Sequence, residues 1–190
     1  LKSRLFKMVD ALREKTGHPF ESKVCVDTAP ILERQYAQRA GIGWVGKNTM
    51  AISRDLGSYF FLGEIVTTLE MDHDKPATSH CGNCRRCIDA CPTAALSEPY
   101  KLDASKCISY LTIENRQEEI PEELHKQMGD WVFGCDICQQ VCPHNRHNSD
   151  KIAKEPKFKV RQPAPNPKLQ DLIDWTDEQY QEHLSGSAMK

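Results

Sequence analysis

Apolar positions at Leu1, Leu5, Met8, Val9 and Leu12 recur at helical spacing and predict an amphipathic helix over residues 1–15, closed by Gly17 and Pro19. The β-rich run KVCVD over 23–27 predicts a strand that ends on an acid. TAPILERQYAQRAG follows, with Thr28 able to cap, Pro30 suited to a first helical turn and Gly41 suited to the stop. Asp27 is therefore expected where a strand hands over to a helix, the end at which α/β sheets place site residues. After the glycine-rich stretch GIGWVGKN, the segments TMAIS and SYFFLGEIVTTLE read as two strands with DLG between them as a turn. Short helices are expected after Cys84 and Cys138 and over 121–128, and LQDLIDWTDEQYQEHL reads as a new helical unit.

The pattern divides the chain into an α/β part over 1–72, a cysteine-bearing part over 73–150, a proline-punctuated connector over 151–168 and a helical start over 169–190. MDHDKPATSH links the first two. The stripe running straight into Leu1 and the helical unit met at the other end lead us to expect a piece of a longer protein.

Composition narrows the class. The chain has 190 residues, 27% of them charged and 39% hydrophobic, with a net charge of −2. That balance excludes a uniformly basic nucleic-acid binder but allows a local basic face. No apolar run approaches the roughly 18 residues of a membrane span. Nine cysteines are present, and no export leader is seen, so reduced, metal-binding thiols in the cytoplasm are expected rather than disulfides.

Eight of the nine cysteines form one ordered set. CGNCRRCIDACP supplies Cys81, Cys84, Cys87 and Cys91, with Pro92 closing the run; CDICQQVCP supplies Cys135, Cys138 and Cys142, closed by Pro143; Cys107 stands upstream as the remaining ligand. Soft thiolates at this spacing suit iron–sulfur clusters, and the cysteine before the proline serves the other cluster. One [4Fe–4S] cluster is thus assigned to Cys81, Cys84, Cys87 and Cys142, and the other to Cys91, Cys107, Cys135 and Cys138. Structural zinc also uses CxxC pairs, but needs neither the full run nor its proline-closed copy. Cys25 reads as a small buried strand residue. The seven histidines show no metal-binding spacing.

Taken together, VDTAPILERQYAQRAGIGWVGKN, GSYFFLGEIVTT, CGNCRRCIDACPTAA, CISYLTIE and GCDICQQVCPHNR resemble the epoxyqueuosine reductase family through nearly all of the chain. The resemblance implies an α+β protein: part of a cobalamin-binding domain like that of reductive dehalogenases, a bacterial-ferredoxin-like double-cluster module, and the start of a helical-repeat tRNA-binding region. It implies cobalamin-dependent reduction of the epoxide of epoxyqueuosine, at the tRNA wobble position, to queuosine. It further implies Asp27 as proton donor, corrin contacts at Asp27, Ala51, Leu62, Ile108, Cys135 and Asp136, no protein ligand below cobalt, an external electron donor and a monomeric enzyme. Without the resemblance, Asp27 reads first as the cap of the helix that begins at Thr28. Lys47 is a candidate to neutralise cofactor or phosphate charge, and the glycine loop to approach a flat cofactor. Arg85, Arg86, Arg116, Lys126, Arg146, His147 and Lys151 are candidates for a basic rim facing a tRNA anticodon arm, whose modified base must leave its stack to react. A dehalogenase-like corrinoid enzyme and a plain electron-transfer module are the alternatives.

Overall fold

The computed structural model describes residues 1–116, 119–146, 168–185 and 187. The expected connector over 151–168 falls almost wholly outside them, as do His147 and Lys151. The first helix, α1 (Lys2–Thr16), buries Leu5 and Val9, ends on Gly17 in the left-handed region (φ 65°), and leaves Leu1 and Met8 of its stripe about half exposed. It packs on a two-stranded antiparallel sheet of β1 (Ser22–Cys25) and β4 (Glu64–Thr67), in which Cys25 faces Glu64. Gly63 lets the helix come close, since a Cβ there would lie 2.8 Å from Leu5 Cδ1.

The helix expected from Thr28 begins later. The observed α2 spans Glu33–Arg39, and Thr28 does not cap it. Asp27 takes a left-handed φ of 60°, and tight turns from Thr28 N–H to the Val26 carbonyl and from Ile31 N–H to the Ala29 carbonyl consume the residues between. Pro30 adds to this by excluding helical geometry at Ala29. The helix ends as expected, with Gly41 at φ 69°.

The glycine-rich stretch makes a second antiparallel pair, β2 (Trp44–Val45) with β3 (Ala51–Ile52). TMAIS therefore contributes two strand residues, and SYFFLGEIVTTLE contributes only β4. The turn at DLG is present, closed by paired bonds between Ser53 and Gly57. The glycines answer to packing inside this hairpin: a Cβ at Gly43 would lie 2.3 Å from the Ile52 carbonyl oxygen, and one at Gly46 2.4 Å from Ile52 Cδ1.

The cysteine-bearing part is built of short helices: α3 (Arg86–Asp89), α4 (Ile108–Ile113), α5 (Glu122–Met128) and α6 (Ile137–Gln140), with single turns at Ala104–Lys106 and Pro143–Asn145. The α6 helix starts just before Cys138 rather than after it. Ile108, Leu111, Leu124 and Met128 form one core; Trp44, Ile52 and Cys142 form another, with Cys81 against it. The last expected helix is two, α7 (Leu169–Ile173) and α8 (Asp177–Leu184), because Thr176 and Gln179 make a reciprocal capping box that starts a new helix. No helix among the described residues is long and apolar enough to cross a membrane.

Candidate iron–sulfur and catalytic site

The chain brings its eight motif cysteines, all unpaired by disulfides, to two cavities. Cys81, Cys84, Cys87 and Cys142 line one, together with Lys47, His80 and His144. Cys91, Cys107, Cys135 and Cys138 line the other, which has a volume of about 380 Å³. In each run the cysteine before the proline lines the other cavity from the cysteines that precede it, so Cys91 and Cys142 cross over.

Among the described residues no three Cys, His, Asp or Glu side chains close tightly enough to share a single ion. Four cysteines line each cavity, the number of thiolates that a [4Fe–4S] cluster takes. Burial raises the thiols: Cys138 is pushed up to about 12 by desolvation and then by Cys135, Cys87, Cys107 and Cys91. Cys87, Cys135 and Cys142 rise for the same first reason. Such thiols ionise on binding metal, which displaces the proton.

The first part of the chain reaches into both rings. Trp44, 2% exposed, donates its indole N–H to Cys81 Sγ at 3.4 Å and stands edge-on to His80 and His144. Lys47 Nζ donates to the carbonyls of Gly82 (2.6 Å) and Cys84 (2.9 Å). Lys47 thus meets a cluster loop, where the sequence suggested cofactor or phosphate charge. Asn48, 4% exposed, donates to the Cys138 carbonyl at 3.4 Å. Below them lies a closed polar network: Ser58 Oγ donates to Gln139 Oε1, Asn145 Nδ2 donates to Ser58 Oγ, and Gln139 Nε2 donates to Asp136 Oδ1. It sets Tyr59 beside the rings, where desolvation and the charges of Asp136, Cys138 and Cys142 push its phenol up to about 12.

Of the expected corrin contacts, Ile108, Cys135 and Asp136 line the larger cavity, with Arg34, Thr49 and Met50 at its edge. Ala51 is buried in β3, Leu62 is half-buried, and neither lines it. Asp27 is exposed; its backbone N–H donates to Glu33 Oε1 at 2.9 Å, one residue from Arg34. Burial and then the Glu33 charge push Glu64 up, and its Oε2 is shielded with no hydrogen-bond partner among the described residues. Cys25 is buried, as expected. In the expected basic rim, Arg85 pairs with Asp89 at 3.5 Å and Arg86 lines the Cys81 cavity. Sequence reasoning missed Trp44, Asn48 and the Ser58 network; the indole and amide inside a glycine-rich hairpin, between strands too short to need them, were the available signal.

The geometry defines a class: a double-cluster iron–sulfur protein whose ferredoxin-like module is bound side chain by side chain to a mixed α+β unit. Residues 80–145 match the 4Fe-4S double cluster binding domain family. Over 190 residues the chain is 44% identical to epoxyqueuosine reductase of Xanthomonas campestris pv. campestris, covering 100% of this chain and 52% of that protein. It is also similar to a crystal structure of epoxyqueuosine reductase with a tRNA-Tyr epoxyqueuosine-modified stem loop (TM-score 0.83, 34% identity, 99% of this chain and 51% of that one). A third match is the Bacillus subtilis enzyme, solved with its aspartate catalytic loop swung out of the active site (TM-score 0.81, 32% identity, 96% and 48%). The chain is an epoxyqueuosine reductase homologue, and it spans about half the length of these relatives.

Proposed function

We propose that the protein to which this chain belongs reduces the epoxide of epoxyqueuosine, at the tRNA wobble position, to the alkene of queuosine, in the cytoplasm and as a monomer. The observation that carries this reading is that the ring of Cys91, Cys107, Cys135 and Cys138 shares one cavity with Ile108 and Asp136 and is edged by the element next to Asp27. The cysteines of a candidate electron source thus line the cavity, and Arg34 beside them belongs to the helix whose Glu33 holds the Asp27 backbone. Residues 1–72 would be part of the cobalamin domain, 73–150 the double-cluster module, 151–168 a linker and 169–190 the start of a helical-repeat tRNA-binding domain.

Ile108, Leu96 and Ala95 supply buried apolar lining beside the cysteines, against which an apolar face of a bound cofactor would rest. When bound, cobalamin supplies the low-valent cobalt through which electrons reach the epoxide. Ile108, Cys135 and Asp136 would meet it from the cluster side, and Asp27, Ala51 and Leu62 from the other. Net reduction takes up electrons and protons, and the epoxide oxygen leaves as water. The Asp27 carboxyl is the group to protonate that oxygen. Its left-handed, exposed loop suits an acid that moves in when substrate binds, in keeping with the swung-out aspartate loop of the Bacillus subtilis homologue. The two rings hold the clusters that relay electrons from an external donor. Arg85, Arg86, Arg116, Lys126 and Arg146, with His147 and Lys151, would face the tRNA backbone, as the stem-loop complex of the homologue supports.

Anaerobic reconstitution of the full-length protein with iron, sulfide and cobalamin, followed by turnover of epoxyqueuosine-bearing tRNA, tests the reading. Expected are a corrin spectrum, queuosine formation and at least a hundredfold loss in Asp27→Asn, a typical worth for a positioned acid. Failure to bind corrin overturns the reading; full turnover by Asp27→Asn overturns the acid assignment.

A further inference from the structure

We infer that Trp44 and Lys47 raise the reduction potential of the cluster held by Cys81, Cys84, Cys87 and Cys142 above that of its neighbour, so that this cluster is the first of the two to hold an electron. The inference rests on the proposed division of the cysteines between two clusters.

The indole N–H is a donor only, and Trp44 is buried, so water cannot substitute for Cys81 Sγ as its acceptor. Its ring is fixed edge-on between His80 and His144, with centroids 4.9 Å from each, so the dipole points one way in both redox states. Reduction adds negative charge that spreads over the thiolate sulfurs. A fixed N–H aimed at one of them stabilises the reduced form, and hydrogen bonds to the sulfurs are among the terms that set cluster potentials. Lys47 acts in the same direction. Its ammonium is clamped by two carbonyls of the loop that carries Cys81 and Cys84, which places a full positive charge against this cluster. Backbone N–H groups of His144 and Asn145 also point at Cys142.

The other ring is served differently. Cys91 Sγ has the Thr93 hydroxyl at a longer 3.8 Å, and the Ile137 N–H points at Cys135. Arg34, at the edge of that cavity, donates to the Thr49 carbonyl rather than to a cysteine loop. The stronger donors and the clamped cation therefore gather on one cluster, and both come from the hairpin Trp44–Ile52 of the other half of the molecule.

Potentiometric titration of the reconstituted full-length protein, followed by electron paramagnetic resonance without corrin or tRNA, tests this. Its outcome does not depend on epoxyqueuosine turnover. In Trp44→Phe, which keeps the ring, the reduced-to-oxidised ratio of one cluster at a fixed applied potential should fall about threefold to tenfold, the worth of one such bond. Lys47→Met should shift the same cluster the same way, and by less at high salt. The shifted signal must be the one that Cys81→Ser alters. No shift, an upward shift, or equal shifts of both clusters would overturn the inference. If Trp44→Phe does not retain iron, Lys47→Gln decides: it still donates to the Gly82 and Cys84 carbonyls but carries no charge, and unmoved potentials in that variant overturn the inference.

Discussion

The Ser58–Gln139–Asn145 network predicts a measurable coupling between the two halves of the molecule. The Asn145 amide makes three bonds: Oδ1 accepts from Ser58 N–H at 2.8 Å, and Nδ2 donates to Ser58 Oγ at 2.9 Å and to the Gln139 carbonyl at 2.7 Å. At roughly 0.5–1.5 kcal/mol net each, Asn145→Ala should cost about 2–4 kcal/mol. Ser58→Ala removes two bonds and leaves Gln139 Oε1, on a residue 8% exposed, without its donor, for about 1–3 kcal/mol. The two residues share one of these bonds directly, so the double variant should lose about 1 kcal/mol less than the sum. The assay is urea denaturation of the anaerobic cluster-loaded protein. Where unfolding is irreversible, the rate of loss of cluster absorbance at fixed urea replaces it. Costs that add to within about 0.3 kcal/mol, or a neutral Ser58→Ala, would refute the network as a staple.

Gly43→Ala should be strongly destabilising, by more than about 3 kcal/mol, because the Ile52 backbone cannot yield the 2.3 Å position; Gly17→Ala, with open space around it, should cost only about 1 kcal/mol of backbone strain. Comparative thermal denaturation reads both. Glu33→Ala should lower kcat for epoxyqueuosine by releasing the Asp27 loop, leave KM nearly unchanged, and be largely rescued in Glu33→Gln, which still offers the Asp27 N–H an acceptor; equal losses in both variants would contradict a positioning role. Tyr59 should titrate at about 12, and this step should be missing from the tyrosinate absorbance titration of Tyr59→Phe. Since its folded pKa exceeds the usual 10.0, its contribution is fully present below pH 10 and is lost as pH rises toward 12. Chelating the iron should raise hydrogen exchange in the β2–β3 hairpin as well as in the cysteine loops, and should leave β1 and β4 less affected.

Local patterns were legible where one residue type does one job. The stripe through Leu5 and Val9 gave α1, and the helix expected over 121–128 is α5. The elements that went astray were decided by specific contacts that no periodic pattern encodes. Thr28 looked like a cap, but the left-handed turn at Asp27, held through Glu33, moved the helix start to Glu33. SYFFLGEIVTTLE looked like a long strand, but among the described residues β4 pairs with β1 alone and ends where that partner ends, while Ser58 is drawn away to Asn145 and Gln139. Gly43 and Gly46 make room for Ile52, a packing role that the glycine-rich pattern alone did not reveal. These partners lie from six residues away, as Glu33 is from Asp27, to more than eighty, as Asn145 is from Ser58, and none falls at a helix or strand period, so periodicity could not report them.

On the proposed cysteine assignment, the same long-range contacts tie cluster assembly to folding. Cys142 sits in one core with Trp44 and Ile52, and Cys135 packs against the other, formed by Ile108, Leu111, Leu124 and Met128. Each core is therefore finished by a cluster ligand. A cysteine free to rotate away would open the core it closes, and burial of Cys135 and Cys142 disfavours the anion that would repel its neighbours. Iron removes the protons and fixes the sulfurs, so its binding energy adds directly to the packing of both cores. It follows that the hairpin Trp44–Ile52 has no independent stability to draw on. With two strands of two residues each, it is held by Cys81, Cys138 and the loop of Cys84 on one side and by its own glycine packing on the other. Substitutions in that hairpin will register as redox changes and as stability changes at once, because one set of contacts produces both.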